Sequence, residues 1–226
     1  SSDLVADVEQ SESAKIAIEW FDSQLSKTMI EVDDLFTKYR LSEALMAVYK
    51  LFWDEFSSWY LEMVKPAYQK PIDRETYNAT LGFFDSLLKM LHPFMPFITE
   101  ELWQAVAPLA NAKHSDSIML AKWPVAAPEK INPTANAQMA ALKDMVNAVR
   151  NLRGEMGLGP AVKAPLWVEA GPEAAVFLPY IALLGRLSET KLVEALPEDD
   201  APVARIETEY SLETAQPQAR QDYLKQ

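Results

Sequence analysis

Apolar residues recur at steps of three and four from Ala14 to Tyr39. Ile18, Phe21, Leu25, Met29, Val32, Phe36 and Tyr39 fall on one side of a helix. A second stretch, Leu41 to Val64, repeats the pattern. Leu41, Leu45, Val48, Phe52, Phe56, Trp59 and Met63 follow steps of 4, 3, 4, 4, 3 and 4. Ser42 and Lys65-Pro66 mark plausible ends. Only a short turn around Tyr39-Arg40 separates the two helices, which predicts antiparallel neighbours. Lys65 to Ile72 holds two prolines and reads as a loop. Asp73 is a good N-cap for a third helix carrying Tyr77, Leu81, Phe84, Leu88 and Leu91.

The next stretch, LHPFMPFITEELWQ (Leu91 to Gln104), interrupts the helical pattern with Pro93 and Pro96. Pro93 disfavours helical geometry at His92, so the third helix should stop there. Pro96 fits the first turn of a new helix, where its missing N–H costs nothing. Glu100 and Glu101 suit that helix's positive end, and Ile98, Leu102 and Val106 are expected on its inner face. The two prolines therefore bracket a corner between two helices.

From Pro108 to Pro133 the chain is rich in Ala, Pro, Asn and Lys and reads as a connector that touches the body through SIMLAKWP. A further helix, Asn136 to Met156, carries Met139, Leu142, Val146 and Val149 on one side and ends at GLGP. APLWVEA (Ala164 to Ala170) reads as a strand. EAAVFLPYIALLGRLS reads as a helix despite Pro179, and KLVEAL as a second strand. After Ala195 the chain turns acidic and polar, and no element is expected from there to Gln226. The fold class is mainly α, an antiparallel helix bundle followed by a small α/β subdomain. The expected organisation is a lead-in at 1–13, the bundle at 14–110, a connector at 111–135, the subdomain at 136–204 and a tail at 205–226.

Composition narrows the chemistry. The 226 residues suffice for one large or two small cores. The chain opens at Ser1 rather than Met and is read as a fragment or a processed chain. Ser1 to Gln10 has no basic region followed by an apolar one, so it does not read as a signal peptide. No run is long and apolar enough to span a bilayer. The absence of cysteine excludes disulfides and thiolate chemistry, and only His92 and His114 are available as imidazoles. No metal site is expected. The formal charge of −12 argues against broad nucleic-acid affinity, which phosphate contacts dominate. A local basic patch on an acidic body is still compatible with RNA.

No catalytic constellation emerges. RGEMGLGP ends a helix rather than opening one, so it is not a dinucleotide fingerprint. The carboxylates lie mostly on solvated helix faces. His92, before a proline at a corner, reads as a structural hydrogen-bonding group. Three features remain. On the helix from Leu41 to Val64, Met46, Tyr49, Trp53, Tyr60 and Val64 form a second flank at helical spacing. The ordinary reading is that both flanks are buried. The functional one is that rings such as Trp53 and Tyr60 stack on splayed RNA bases. Lys38, Tyr39 and Arg40 make a basic, aromatic turn, either a solvated loop or an RNA contact. Arg150 and Arg153 project near the apolar side of their helix, where a guanidinium needs a partner, an internal carboxylate or a phosphate.

The stretch YRLSEALMAVYKLFWDEFSSWYLEMVKP (Tyr39 to Pro66), followed by LHPFMPFITEELWQ, closely resembles the valyl-tRNA synthetases, class I aminoacyl-tRNA synthetases. The corner motif is shared with the isoleucine and leucine enzymes, and the segment WDEF to WYLE favours valine. The resemblance is strong over Ala14 to Gln104. It weakens through Ser117 to Pro124 and Val146 to Pro160, and beyond Ala204 nothing is matched. It implies a helix bundle of the anticodon-binding type, from the C-terminal region of an enzyme that uses ATP to attach valine to its tRNA.

The resemblance further implies valine tRNA and the enzyme's own catalytic and editing domains as partners, a cytoplasmic location, no membrane and a monomer. ATP is expected for the whole enzyme and no cofactor for this stretch. The catalytic HIGH and KMSKS signatures of such enzymes are not in this sequence. KHSDS (Lys113 to Ser117) lacks the second lysine and follows the bundle. Catalytic residues are therefore expected to be none here. The family's charged coiled-coil arm is not evident either, since Ile206 to Gln226 has no sustained heptads. The candidate RNA-binding residues are Lys38, Tyr39, Arg40, Trp53, Tyr60, Arg150 and Arg153. The alternatives are the equivalent region of an isoleucine or leucine enzyme, or a helical protein-interaction module with an acidic surface and exposed aromatic anchors.

Overall fold

The computed structural model describes residues 5–66, 69–110, 115–159, 161–169, 175 and 177–193. They form two compact units, Ser1–Asn136 and Ala137–Gln226. The chain is mainly helical, with a small α/β part in the second unit. Among the described residues no helix is long and apolar enough to cross a membrane. The tail at 205–226, KHSDS up to His114 and the start of EAAVFLPYIALLGRLS lie outside or partly outside the described residues.

In the first unit, β1 (Val5–Ala6) leads into α1 (Glu12–Thr37). The Ser11 hydroxyl accepts from the Ala14 N–H at 3.1 Å and starts that helix. α1 buries more than one stripe. Trp20, Phe21, Leu25, Met29, Val32 and Leu35 are joined by Ser23 and Ser26, so α1 is the central helix that others pack around. α2 (Leu41–Lys50) follows and runs on through a π-helical segment (Leu51–Tyr60) into α3 (Leu61–Val64). Phe21 meets Phe56 at 5.2 Å and Tyr60 at 5.1 Å between ring centroids, so this composite helix returns antiparallel to α1 as the short turn implies.

β2 (Ile72–Asp73) pairs in parallel with β1, Val5 with Ile72 and Ala6 with Asp73. This ladder has no counterpart in the sequence reading. It sets the starts of α1 and α4 (Arg74–Leu91) side by side. The Asp73 carboxylate accepts from the Thr76 N–H at 2.7 Å as the expected N-cap. Phe21 against Phe83, and Phe36 against Phe94 beyond the end of α4, show that α1 and α4 run the same way.

The proline corner forms as expected. α4 ends at Leu91, and α5 (Pro96–Val106) opens with Pro96 in its first turn. The inner face of α5 differs from the expectation. Thr99 and Trp103 are buried, whereas Ile98 and Leu102 are exposed. The polar anchors decide this. Trp103 Nε1 donates to Asp85 at 2.8 Å, and the Thr99 hydroxyl donates to the Met95 carbonyl at 2.8 Å. Each satisfies a group that would otherwise be buried unpaired.

Within the connector, Ile118 is buried with Leu88, Trp103 and Ala107. Glu100 fastens its turn, accepting from the Ser117 hydroxyl at 2.7 Å and the Ile118 N–H at 3.1 Å. Hydrogen bonds from Gln104 and then Ser117 hold the Glu100 carboxyl below its ordinary pKa. Trp123 packs on Phe36 and donates to Asp33 at 3.2 Å.

α6 (Pro133–Glu155) begins in the first unit and continues into the second, where Met139, Leu142, Met145 and Val146 are buried. Gly157 takes a left-handed φ of 65° at its end, and Leu158 N–H bonds back to the Arg153 carbonyl at 2.9 Å. β3 (Ala164–Glu169) pairs in parallel with β4 (Leu187–Val193), with α7 (Leu178–Leu184) between them in sequence. Pro179 lies in the first turn of α7. Gly185 follows that helix. A Cβ there would stand 2.5 Å from the Ile181 carbonyl, so only glycine fits. β4 starts earlier than KLVEAL suggests because Leu187 is already buried beside that turn.

Candidate nucleic-acid interface

The seven candidate residues divide by burial. The Lys38 to Arg40 turn is fully on the surface, at the end of the bundle where α1 stops. Backbone bonds hold it. Tyr39 N–H reaches the Phe36 carbonyl at 3.0 Å, and Arg40 N–H reaches Leu35 at 2.9 Å. Tyr39 sits in the left-handed region at φ 57° and is 89% exposed. A bulky ring in that conformation is uncommon, since glycine or asparagine usually ends a helix this way.

Both cations of the turn are engaged. Lys38 Nζ lies 2.6 Å from Asp34, and the Arg40 guanidinium chelates the Glu43 carboxylate, with Nε at 2.6 Å. All four side chains are more than half exposed. Such pairs contribute about 0–1 kcal/mol, so a phosphate can compete for either cation. The surface here is mixed in sign rather than a bare positive groove.

Trp53 and Tyr60 part company. Trp53 is 57% exposed and lies nearly parallel to the half-exposed Tyr49, with centroids 6.5 Å apart and planes at 11°. Met46 is exposed on the same flank, and the exposed Lys50 makes no ion pair among the described residues. Tyr60 has no exposed surface. Its ring packs on Phe21, Phe56 and Phe83, and its hydroxyl is 2.8 Å from that of Thr80. Burial, outweighing the Thr80 contact and reinforced by the Asp73 carboxylate, pushes the phenol up to about 12. Tyr60 therefore leaves the candidate set: no base can reach it.

The cause is the π-helical segment. Seven α-helical residues bring Trp53 and Tyr60 onto one face. Widening to about 4.4 residues per turn puts them on opposite faces. Ser57 and Ser58 mark the widening, their hydroxyls donating five residues back to the carbonyls of Phe52 and Trp53 at 2.9 and 2.8 Å. Phe52, Phe56 and Tyr60, spaced by four, become a continuous row of contacting rings instead.

The arginines of α6 also resolve differently from expectation. Arg153 is buried, and its guanidinium donates to the carbonyls of Arg186, Gly159 and Val162 at 3.2, 3.1 and 2.6 Å. Its partners are backbone carbonyls rather than a carboxylate or a phosphate. It ties the end of α6 to the approaches of β3 and β4. Arg150 is exposed and reaches the Leu184 carbonyl at 3.4 Å. Arg153 is thus sealed on backbone carbonyls, and Arg150 belongs to the second unit.

One exposed ring is not among the seven candidates. Phe97, in the first turn of α5, is 89% exposed, and Met95 before it is half exposed. The proline pair carried the only signal, by fixing where α5 starts. The phase of α5, which turns Phe97 outward, comes from Thr99 and Trp103.

Comparison with known proteins finds one family and several relatives. The family model described as the anticodon-binding domain of tRNA ligase matches residues 19–168. The valine–tRNA ligase of Chromobacterium violaceum is 49% identical over 210 residues, covering 87% of this chain and 22% of that protein. The valine–tRNA ligase of Phocaeicola vulgatus is 48% identical, covering 92% of this chain and 23% of its own length. That of Parabacteroides distasonis is 51% identical over 187 residues, covering 83% of this chain and 21% of its own. The chain spans under a quarter of the length of these curated relatives.

Proposed function

The chain belongs to the anticodon-binding domain family of tRNA ligases, and we propose that it binds the anticodon arm of valine tRNA as part of a valine–tRNA ligase. The observation that carries this is the match over residues 19–168, which takes in the bundle and its exposed rings. The valine assignment is supported by relatives near 50% identity, all named for valine. On this reading the rest of the enzyme, with its catalytic and editing domains, uses ATP to join valine to the tRNA in the cytoplasm, acting as a monomer.

The mechanism is recognition by a rigid surface. An anticodon loop offers unstacked bases and a curved phosphate track. Trp53, with Tyr49 alongside, presents an aromatic face on which a base can stack. Tyr39 does the same at the end of α1. Lys38 and Arg40 exchange Asp34 and Glu43 for phosphates, and each exchange releases counterions and gives the binding its salt dependence. The acidic remainder of the molecule discourages binding elsewhere.

The test is binding of this chain to valine tRNA and to the same tRNA with its middle anticodon base changed, at two salt concentrations. Weaker binding of the changed tRNA is expected. Equal, salt-sensitive binding of both limits the role to phosphate contact. Binding of neither removes this reading and favours a protein partner for the exposed rings.

A further inference from the structure

The anticodon reading leaves Phe97 unexplained. Its corner and the Lys38 to Arg40 turn belong to the same end of the bundle. Phe36, three residues before Tyr39, stacks on Phe94, three residues before Phe97, with centroids 6.0 Å apart and planes at 17°. Trp123 closes on Phe36 edge-on at 5.7 Å, so the two loops share one aromatic footing. Each then carries one further ring outward, Tyr39 and Phe97, both 89% exposed.

Both rings stand on fixed backbone. Tyr39 is pinned by the helix-ending bonds described above. The corner is pinned by two prolines and by Thr99, whose hydroxyl donates to the Met95 carbonyl and accepts from His92 Nδ1 at 2.8 Å. Aromatic groups held in advance lose little entropy when they bind. Tyr39 adds a second clue. Glycine would relieve the left-handed strain at φ 57°, so packing gives no reason for a tyrosine there. Backbone strain at an exposed ring flanked by two exchangeable cations fits a ring kept for what it touches.

Resting on the anticodon reading above, we propose that Tyr39 and Phe97 form a paired stacking platform at this end of the bundle, each taking the face of an unstacked base of the bound RNA loop. Lys38 and Arg40 meet the intervening phosphates. The loop is thereby engaged at both the α1–α2 turn and the proline corner, and the corner becomes a contact surface as well as a bend.

The experiment uses the whole chain with valine tRNA carrying 2-aminopurine at one anticodon-loop position at a time. Stacking on a ring quenches that base. Phe97→Ala and Phe97→Leu are each expected to weaken binding about tenfold and to restore fluorescence at one position, with Phe97→Trp retaining both. Tyr39→Gly should weaken binding similarly while raising Tm, opposite signs that a purely structural role cannot give. Unchanged affinity and quenching in Phe97→Ala, with the unsubstituted chain still binding and discriminating, overturns the platform alone. Tight binding by Phe97→Leu overturns it too, because an apolar side chain without a ring face then suffices. Failure of the unsubstituted chain to bind tRNA removes the anticodon reading, and the platform with it.

Discussion

Trp53 and Tyr60 stand seven residues apart on one continuous helix, in a stretch whose α-helical spacing would give them the same neighbours. One is 57% exposed beside Tyr49, and the other is sealed among three phenylalanines. The difference is a change of helical pitch between them. A widened segment sorts aromatic residues into core and surface without any change in composition. Arg153 and Arg40 repeat the contrast for cations. The first is buried on three backbone carbonyls, and the second lies on the surface with one carboxylate.

Truncating the two rings separates them most sharply. Tyr60→Ala should cost about 3–5 kcal/mol by opening a cavity in the bundle. Trp53→Ala should cost under about 0.5 kcal/mol, as surface changes do. Thermal or denaturant unfolding checks both. In RNA binding the order reverses: Trp53→Ala should lose about tenfold in affinity. Equal stability losses would mean that Trp53 is core after all.

The ionisation of Tyr60 gives the next largest effect. Its folded pKa of about 12 lies above the ordinary 10.0. The folded state therefore holds the phenolic proton more tightly, and the contribution of Tyr60 to stability is constant below pH 10. It should fall as pH rises from 10 to 12, by up to about 3 kcal/mol. Urea midpoints across that range should show the decline, and Tyr60→Phe should abolish it. A decline that survives Tyr60→Phe assigns it to another group.

The arginines sharpen the contrast at smaller scale. Arg153→Ala leaves three carbonyls without their donor and should cost about 2 kcal/mol, with RNA affinity unchanged. Arg40→Ala should change stability by less than about 0.5 kcal/mol and lower the salt slope of RNA binding by about 1. A flattened salt slope in Arg153→Ala would return that residue to the interface.

Much of the bundle was legible because its signals are local. The short turn at Tyr39-Arg40, the Asp73 cap and the two prolines act through backbone sterics within a few residues. They placed α1, the composite helix, α4 and the corner. The face of each helix was less legible. Ile98 and Leu102 looked like the inside of α5 by hydropathy, but Thr99 and Trp103 took that place because Met95 and Asp85 offered them hydrogen bonds. The β1–β2 ladder was invisible, since two residues carry no period.

The candidate site was half legible. Lys38, Tyr39, Arg40 and Trp53, named from residue type and position, are exposed. Tyr60 and Arg153 were also named, but both are buried. Phe97 was not named. Hydrophobic period assumes a constant pitch and a single apolar neighbour, and neither assumption holds beside the π-helical segment or at the corner. The sequence by itself determined the helices, their order, the turns between them and the family. These follow from propensities and sterics that act over a few bonds. Only the tertiary structure decided which rings face water and which cations are sealed, because burial depends on partners far away in the chain.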